Sequence, residues 1–379
     1  MIPRSILRLH VVVQHLKMSQ MSSKAGEEIL FQVINNTGVI TLNRPKALNA
    51  LNLSMVRKMF SQMMKWEEDP NIGLVFIKGE GEKAFCAGGD IRAVTEAGRK
   101  GDSLAQDFFK EEYILNHKIG NYKKPYIALI DGITMGGGVG LSVHGKFRVG
   151  TERTMFAMPE TGIGLFPDVG GGHFLPRLDG KFGIFLALTG FRLKGRDVEK
   201  IGIATHFIES SKISELEERL TNLKFDAGQA GVADVLEDLQ KQSTFDADKE
   251  FVLKAHTDKI NRLFAGQTME KIFDALQKDE SDWARKQLDI LKKMSPTSLK
   301  ITLRLLLEGQ SRSLAEDLRI EYRLSQRCLE DRDFYEGVRA VLIDKDNNPQ
   351  WNPASIKDVS QSKVEWFFSP LDPKKELIL

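Results

Sequence analysis

Cysteine is scarce in this chain: Cys86 and Cys328 are the only two in 379 residues. That leaves no disulfide framework and points to a reducing compartment. No apolar run reaches the length of a membrane span, so no membrane partner is expected. Neither charge is in excess. Against 52 acidic residues stand 54 basic ones, a net +2, which offers no bulk electrostatic case for binding nucleic acid. The seven histidines (His10, His15, His117, His144, His173, His206, His256) show no metal-ligand spacing, and no metal is expected.

One absence is local. The first 26 residues contain Arg4, Arg8, Lys17 and Lys24 and no acid. Ile2, Ile6, Leu9, Val13 and Leu16 share one face at helical spacing, with Arg4, Arg8 and His15 opposite. A basic, amphipathic, acid-free leader reads as a mitochondrial transit peptide and predicts a matrix location. Without those four cations the remainder is close to neutral.

What is present is 41% hydrophobic sequence, enough for a sizeable core. Strands are predicted over Ile29–Ile34 and Val39–Asn43, joined by the turn Asn35-Asn36-Thr37-Gly38. Leu53–Glu68 reads as a helix with Met55, Val56, Met59, Phe60, Met63 and Met64 as its apolar stripe. A buried strand is expected at 73–78, a helix near Ser103–Ile119 and a strand at Tyr126–Ile130. Strand then helix, repeated, predicts an α/β core over 27–210. After residue 210 the chain turns charge-rich and helical in period. Ile213–Leu223, Val232–Gln240, Phe251–Phe264 and Met269–Leu276 read as surface-facing helices, and Ser295-Pro296 opens another. The segment after Asn347, with Pro349, Pro353 and Pro370, reads as irregular. Residues 211–379 are therefore expected to form a helical extension and C-terminal region.

Two glycine loops carry the chemical signal. Phe85-Cys86-Ala87-Gly88-Gly89-Asp90-Ile91 follows one apolar strand. Gly136-Gly137-Gly138 closes another and opens a helix. Backbone N–H groups so placed suit a developing oxyanion, although a tight strand-to-helix turn wants glycine too. Two carboxylates follow in glycine- and proline-rich turns: Glu160 in Met158-Pro159-Glu160-Thr161-Gly162, and Asp168 in Phe166-Pro167-Asp168-Val169-Gly170-Gly171-Gly172. Such groups serve general acid/base or nucleophilic chemistry. A turn glutamate is ordinarily solvated, however, and Asp168 or Asp90 would serve equally as a helix N-cap. Glu112, beside Phe108, Phe109 and Leu115, is the third acid. Other templates fit poorly. Gly140-Leu141-Ser142-Val143-His144 has histidine where a nucleophile elbow needs its last glycine. The glycine run lacks the third glycine of a dinucleotide fingerprint. Cys86 reads as a small buried residue.

Together, the F-C-A-G-G-D-I and G-I-T-M-G-G-G-V-G motifs resemble the crotonase (enoyl-CoA hydratase/isomerase) superfamily, which acts on coenzyme A thioesters. The resemblance covers roughly 27–210 and returns at Met294-Ser295-Pro296 and Asp333–Ala340. The long stretch from Met158 to Leu178 is similar to thioester hydrolases within it. The resemblance implies a crotonase-like spiral of ββα turns with a helical C-terminal region, and an acyl-CoA substrate with no further cofactor. It implies an oxyanion hole from the Ala87 and Gly137 N–H groups, catalysis by Glu160 and Asp168, and a contact from Glu112 to a substrate hydroxyl. Lys46, Ala47 and Leu48, with Gly88, Gly89 and Asp90, would line the coenzyme A site. Family members commonly form trimers, so a homo-oligomer is admitted. One departure stands out: hydratases carry a first glutamate just after the triple glycine, where this chain has Gly140. A glycine cannot activate water, so hydrolysis is expected. A hydratase or isomerase, or a non-catalytic RNA-binding member, remain the rival readings.

Overall fold

The computed structural model describes residues 26–379, so the basic segment read as a transit peptide lies, apart from Gly26, outside the described residues. Strands β1 (Ile29–Ile34) and β2 (Thr37–Leu42) pair antiparallel, with Ile34 opposite Thr37. The connection is thus two residues, tighter than the four expected. Asn35 takes φ +53°, a left-handed conformation that asparagine tolerates, and this frees Thr37 and Gly38 for the strand.

Helix α1 (Leu53–Glu68) follows, capped by Asn52, whose side chain accepts the Met55 N–H at 2.9 Å. Its buried face is Met55, Val56, Met59, Met63 and Trp66; Phe60 and Met64 are only half buried. Trp66 lies beyond the expected stripe. It packs over Gly38, where a Cβ would lie 2.7 Å from its ring.

The motif then repeats. β3 (Leu74–Gly79) and β4 (Ala84–Cys86) lead to α2 (Ile91–Arg99) and α3 (Leu104–Gly120). β5 (Tyr126–Ile130) and β6 (Ile133–Met135) lead to the short α4 (Gly137–Gly140). β7 (Phe147–Gly150) and β8 (Met155–Ala157) come next. In each turn the first strand joins one sheet and the second joins another. One sheet runs β1-β2-β3-β5-β7-β10 and the other β4-β6-β8-β9, where β9 is Leu193–Lys194 and β10 is His206–Phe207. From β2 onward the six-stranded sheet is parallel, as are β4, β6 and β8. This is the ββα spiral that the resemblance implied.

Alternation along the strands explains why they read as continuous apolar runs. Val75, Ile77, Ala128 and Ile130 face one apolar cluster. Leu74, Phe76, Ile127, Leu129, Phe147 and Val149 face a second one, closed by Leu216, Leu220, Val232, Leu236 and Leu239. Those last residues lie on α8 (Ile213–Thr221) and α9 (Gly228–Lys241), which follow α5 (Gly171–Phe174), α6 (Phe182–Thr189) and α7 (Arg196–Lys200). The helices expected to face solvent therefore roof the sheet.

Further on, α10 spans only Thr257–Leu263, because residues 251–256 form turns. α11 is Met269–Asp279, and α12 (Asp282–Leu291) is a helix that the periodicity did not predict. α13 (Pro296–Gly309) starts at Ser295 as expected. α14 (Leu314–Glu330) opens with a capping box between Ser313 and Glu316, and α15 (Asp333–Val338) continues into a wider helical turn over Arg339–Ile343. The segment expected to be irregular contains α16 (Gln361–Phe368), capped by Ser360, with Val364, Phe367 and Phe368 buried. Its prolines flank that helix without entering it. The first apolar cluster runs from Ile29 to Leu377, crossing residue 210 without a break.

Candidate active site

Strands β4, β6 and β8 lie side by side and parallel, so the loops that leave their C-terminal ends are neighbours. Those loops are Ala87–Asp90, Gly136–Gly140 and Met158–Gly162. They meet at a cavity of about 560 Å³, whose wall includes Ala87, Gly88, Gly89, Glu112, Gly136, Gly137, Glu160 and Asp168.

The first loop corrects one expectation. The Ala87 N–H is not an open donor; it donates to the Leu48 carbonyl at 3.0 Å. Leu51 bridges Gly89 in parallel fashion, donating to the Gly88 carbonyl and accepting from the Asp90 N–H. That pairing turns the Gly89 N–H away from Leu51. Among the described residues the Gly89 and Gly137 N–H groups have no hydrogen-bond partner. These two amides, one from each glycine loop and both on residues of the cavity wall, can act as a donor pair. At Gly137 a Cβ would collide with Glu112 Oε1 and lie 3.1 Å from Leu51.

The residues assigned to coenzyme A divide. Gly88 and Gly89 line the main cavity. Lys46 and Leu48 wall a separate cavity of about 320 Å³ with Glu80–Ala84, and Ala47 lies on the same 3-10 turn. Asp90 stays off both walls. It caps α2 and pairs with Arg44 at 3.0 Å, the plain structural role.

All three acids are buried. Glu112 on α3 is 2% exposed, Glu160 6% and Asp168 4%. Glu112 Oε1 and Glu160 Oε2 have no hydrogen-bond partner among the described residues, a costly state for buried oxygens unless a ligand meets them. Glu160 Oε1 lies against the triple glycine, 3.2 Å from where a Cβ on Gly136 would stand. Asp168 is no N-cap, since Gly170 holds that place for α5. Its Oδ2 accepts the Tyr113 hydroxyl at 2.8 Å.

Burial dominates the acidities. It pushes the Asp168 carboxyl up to about 7, with the Tyr113 hydrogen bond pulling the other way. Burial, then the Asp168 charge, raises Glu160 well above the carboxylate range. Burial, then Asp168 and Glu160, does the same to Glu112. Burial and mutual repulsion oppose ionisation of all three acids together. Burial also lifts the Cys86 thiol to about 12, which leaves it unreactive.

A family model described as enoyl-CoA hydratase/isomerase matches residues 37–368. The chain belongs to the enoyl-CoA hydratase/isomerase family. It is 62% identical over 364 residues to a protein of Xenopus laevis named "3-hydroxyisobutyryl-CoA hydrolase, mitochondrial", covering 96% of this chain and 94% of that one. A Danio rerio protein of the same name is 59% identical over 371 residues, covering 98% and 96%. Among solved structures, a carnitinyl-CoA dehydratase from Mycobacterium thermoresistibile superposes with a TM-score of 0.85 at 37% identity, over 93% of this chain and 99% of that one.

Within the enoyl-CoA hydratase/isomerase family, Gly140 gains meaning from its surroundings. A Cβ there would lie 2.7 Å from Asn116 Nδ2 and 2.7 Å from Val169 Cβ. The space a first hydratase glutamate would need is occupied. Several residues in and behind the cavity wall escaped the sequence reading. Tyr113 follows Glu112 directly, but nothing local signals its reach to Asp168. Arg192 and Lys293 place cations on the wall, and Val341, Leu342, Asn347 and Pro349 close one side. Met294, also on the wall, did carry a signal, in the returning Met294-Ser295-Pro296 motif.

Proposed function

We propose that this chain hydrolyses 3-hydroxyisobutyryl-CoA to 3-hydroxyisobutyrate and free coenzyme A, a step of valine breakdown in the mitochondrial matrix. The observation that carries the reading is a buried Glu160–Asp168 pair beside two open amides, with no room at residue 140 for a second hydratase glutamate. The thioester oxygen accepts from the Gly89 and Gly137 N–H groups, each contributing on the order of 3–4 kcal/mol as charge builds. Glu160, as the carboxylate and through its unpartnered Oε2, attacks the carbonyl carbon to give a mixed anhydride that water then hydrolyses, or draws the proton from an attacking water. Either way the C–S bond breaks, and Asp168, whose acidity lies near neutrality, returns a proton to the departing thiolate. Glu112 Oε1 accepts the substrate's 3-hydroxyl, which would otherwise be buried unpaired. Arg192 and Lys293 suit the phosphates of coenzyme A. No cofactor beyond the coenzyme A of the substrate is called for, and a homo-oligomer is compatible with this chemistry.

The test is Glu160→Ala. Thiol release from 3-hydroxyisobutyryl-CoA should fall by at least about a hundredfold, the scale of losing an acid/base or nucleophilic group. Full hydrolysis by the variant would end the assignment.

A further inference from the structure

The turn that carries Asp168 has an unfavourable shape. Val169, a β-branched residue, sits at φ +53°, and Gly170 follows at φ +86°. Such backbone persists only where its surroundings over-determine it. On one side the His144 ring, through Nε2, meets the Val169 carbonyl at 2.7 Å. On the other side is a residue that neither the motifs nor the proposed chemistry uses. Glu321 lies on α14, and its side chain is fully buried. Its Oε2 accepts the Gly170 N–H at 2.7 Å and its Oε1 the Gly172 N–H at 2.9 Å. Asp317, one helical turn earlier, is equally buried and faces the same glycines: a Cβ on Gly172 would lie 2.6 Å from its Oδ1. Arg312 Nη1 stands 4.0 Å from Asp317.

We propose that Glu321 is a positioning residue whose bidentate grip on the Gly170 and Gly172 amides aims the Asp168 carboxylate. The proposal rests on the role given to Asp168 above. Stability alone would favour an apolar side chain here, because two buried acids one turn apart are a poor way to fill a core. A carboxylate is the side chain that offers an acceptor to both amides at once. Glutamine would accept from one and present its own N–H group to the other.

Glu321→Gln is compared with the unaltered full chain at a temperature where circular dichroism shows both fully folded. Thiol release from 3-hydroxyisobutyryl-CoA should show kcat lowered by at least about tenfold with KM within about twofold, the pattern of an interaction realised only in the transition state. Unchanged kcat, or a loss carried by KM, overturns the proposal. If the variant does not fold, amide exchange in the unaltered protein decides. The Gly170 and Gly172 amides should exchange as slowly as those of buried helices, and exchange at the rate of an open turn overturns the grip. Asp168→Asn, run alongside, separates the two ideas: full activity there refutes the role of Asp168, while the exchange result still judges Glu321.

Discussion

At the scale of single residues, the site is organised by desolvation more than by ion pairing. Glu112, Glu160 and Asp168 share a pocket in which burial raises every one of them. This has a consequence for stability. The folded Asp168 titrates at about 7 against an ordinary 3.8, so the native state holds a proton that the unfolded chain loses earlier. Stability from that proton is complete below the unfolded value and is lost as pH rises towards about 7. An asparagine side chain at this position cannot ionise. Asp168→Asn should therefore be more stable than the parent by on the order of 1–3 kcal/mol at pH values above 7, with the gain shrinking towards zero near pH 4, while hydrolysis is lost. Denaturant melts across that range check it; a gain that does not vary with pH would contradict it. Tyr113→Phe probes the same group in the opposite sense. The tyrosine hydroxyl favours the ionised carboxylate, so its removal raises the pKa of Asp168 further. Because Asp168 must hold its proton to act as the acid, the falling limb of kcat/KM, centred near pH 7, should move to higher pH. A limb that stays in place would mean that this hydrogen bond does not tune the reacting group.

At the scale of elements, geometry follows from parallel strands whose C-terminal loops touch. Gly137 is the tightest point. Gly137→Ala would push a methyl into Glu112 and displace the amide from its aim. A loss of about a hundredfold or more in kcat is expected, against little change in thermal stability. Behind the Glu160 turn, Ser295 performs three tasks at the start of α13. Its side chain accepts the Ser298 N–H at 3.1 Å and donates to the buried Asp333 at 2.7 Å, and its N–H donates to the Thr161 carbonyl at 3.1 Å. Ser295→Ala removes a cap and leaves a buried carboxylate short of a donor. Denaturant unfolding should show a loss of about 2–3 kcal/mol. Elements with a strong period were legible: α1, β5 and the start of α13 stand where the periodicity and capping residues put them. The glycine loops could be read as loops, yet which amide they open could not. Ala87 and Gly89 differ by a bridge to Leu51, a contact between segments that local pattern does not encode. Tyr113 and Asp168 likewise meet across 55 residues of chain.

At the scale of the molecule, the helical half is part of the same body as the spiral. α8 and α9 roof the outer sheet face, while α14 lies along α3 and reaches the turn that bears Asp168. Charge-rich periodicity showed that these segments are helical, but not which face is buried, because their apolar stripes are narrow and their partners distant in sequence. The proline-rich C-terminal stretch misled for a related reason: its prolines punctuate a short helix that buries Val364, Phe367 and Phe368. The outcome is a hydratase-like scaffold in which residue 140 has no side chain and the neighbouring space is filled. The central claim is therefore about which bond is broken. The most direct measurement is thiol release by the purified chain, with 3-hydroxyisobutyryl-CoA, isobutyryl-CoA and crotonyl-CoA assayed in parallel. Release from the hydroxylated thioester at least about a hundredfold faster than from isobutyryl-CoA, with no hydration of crotonyl-CoA, is the predicted result. Hydration of crotonyl-CoA without thiol release would contradict it.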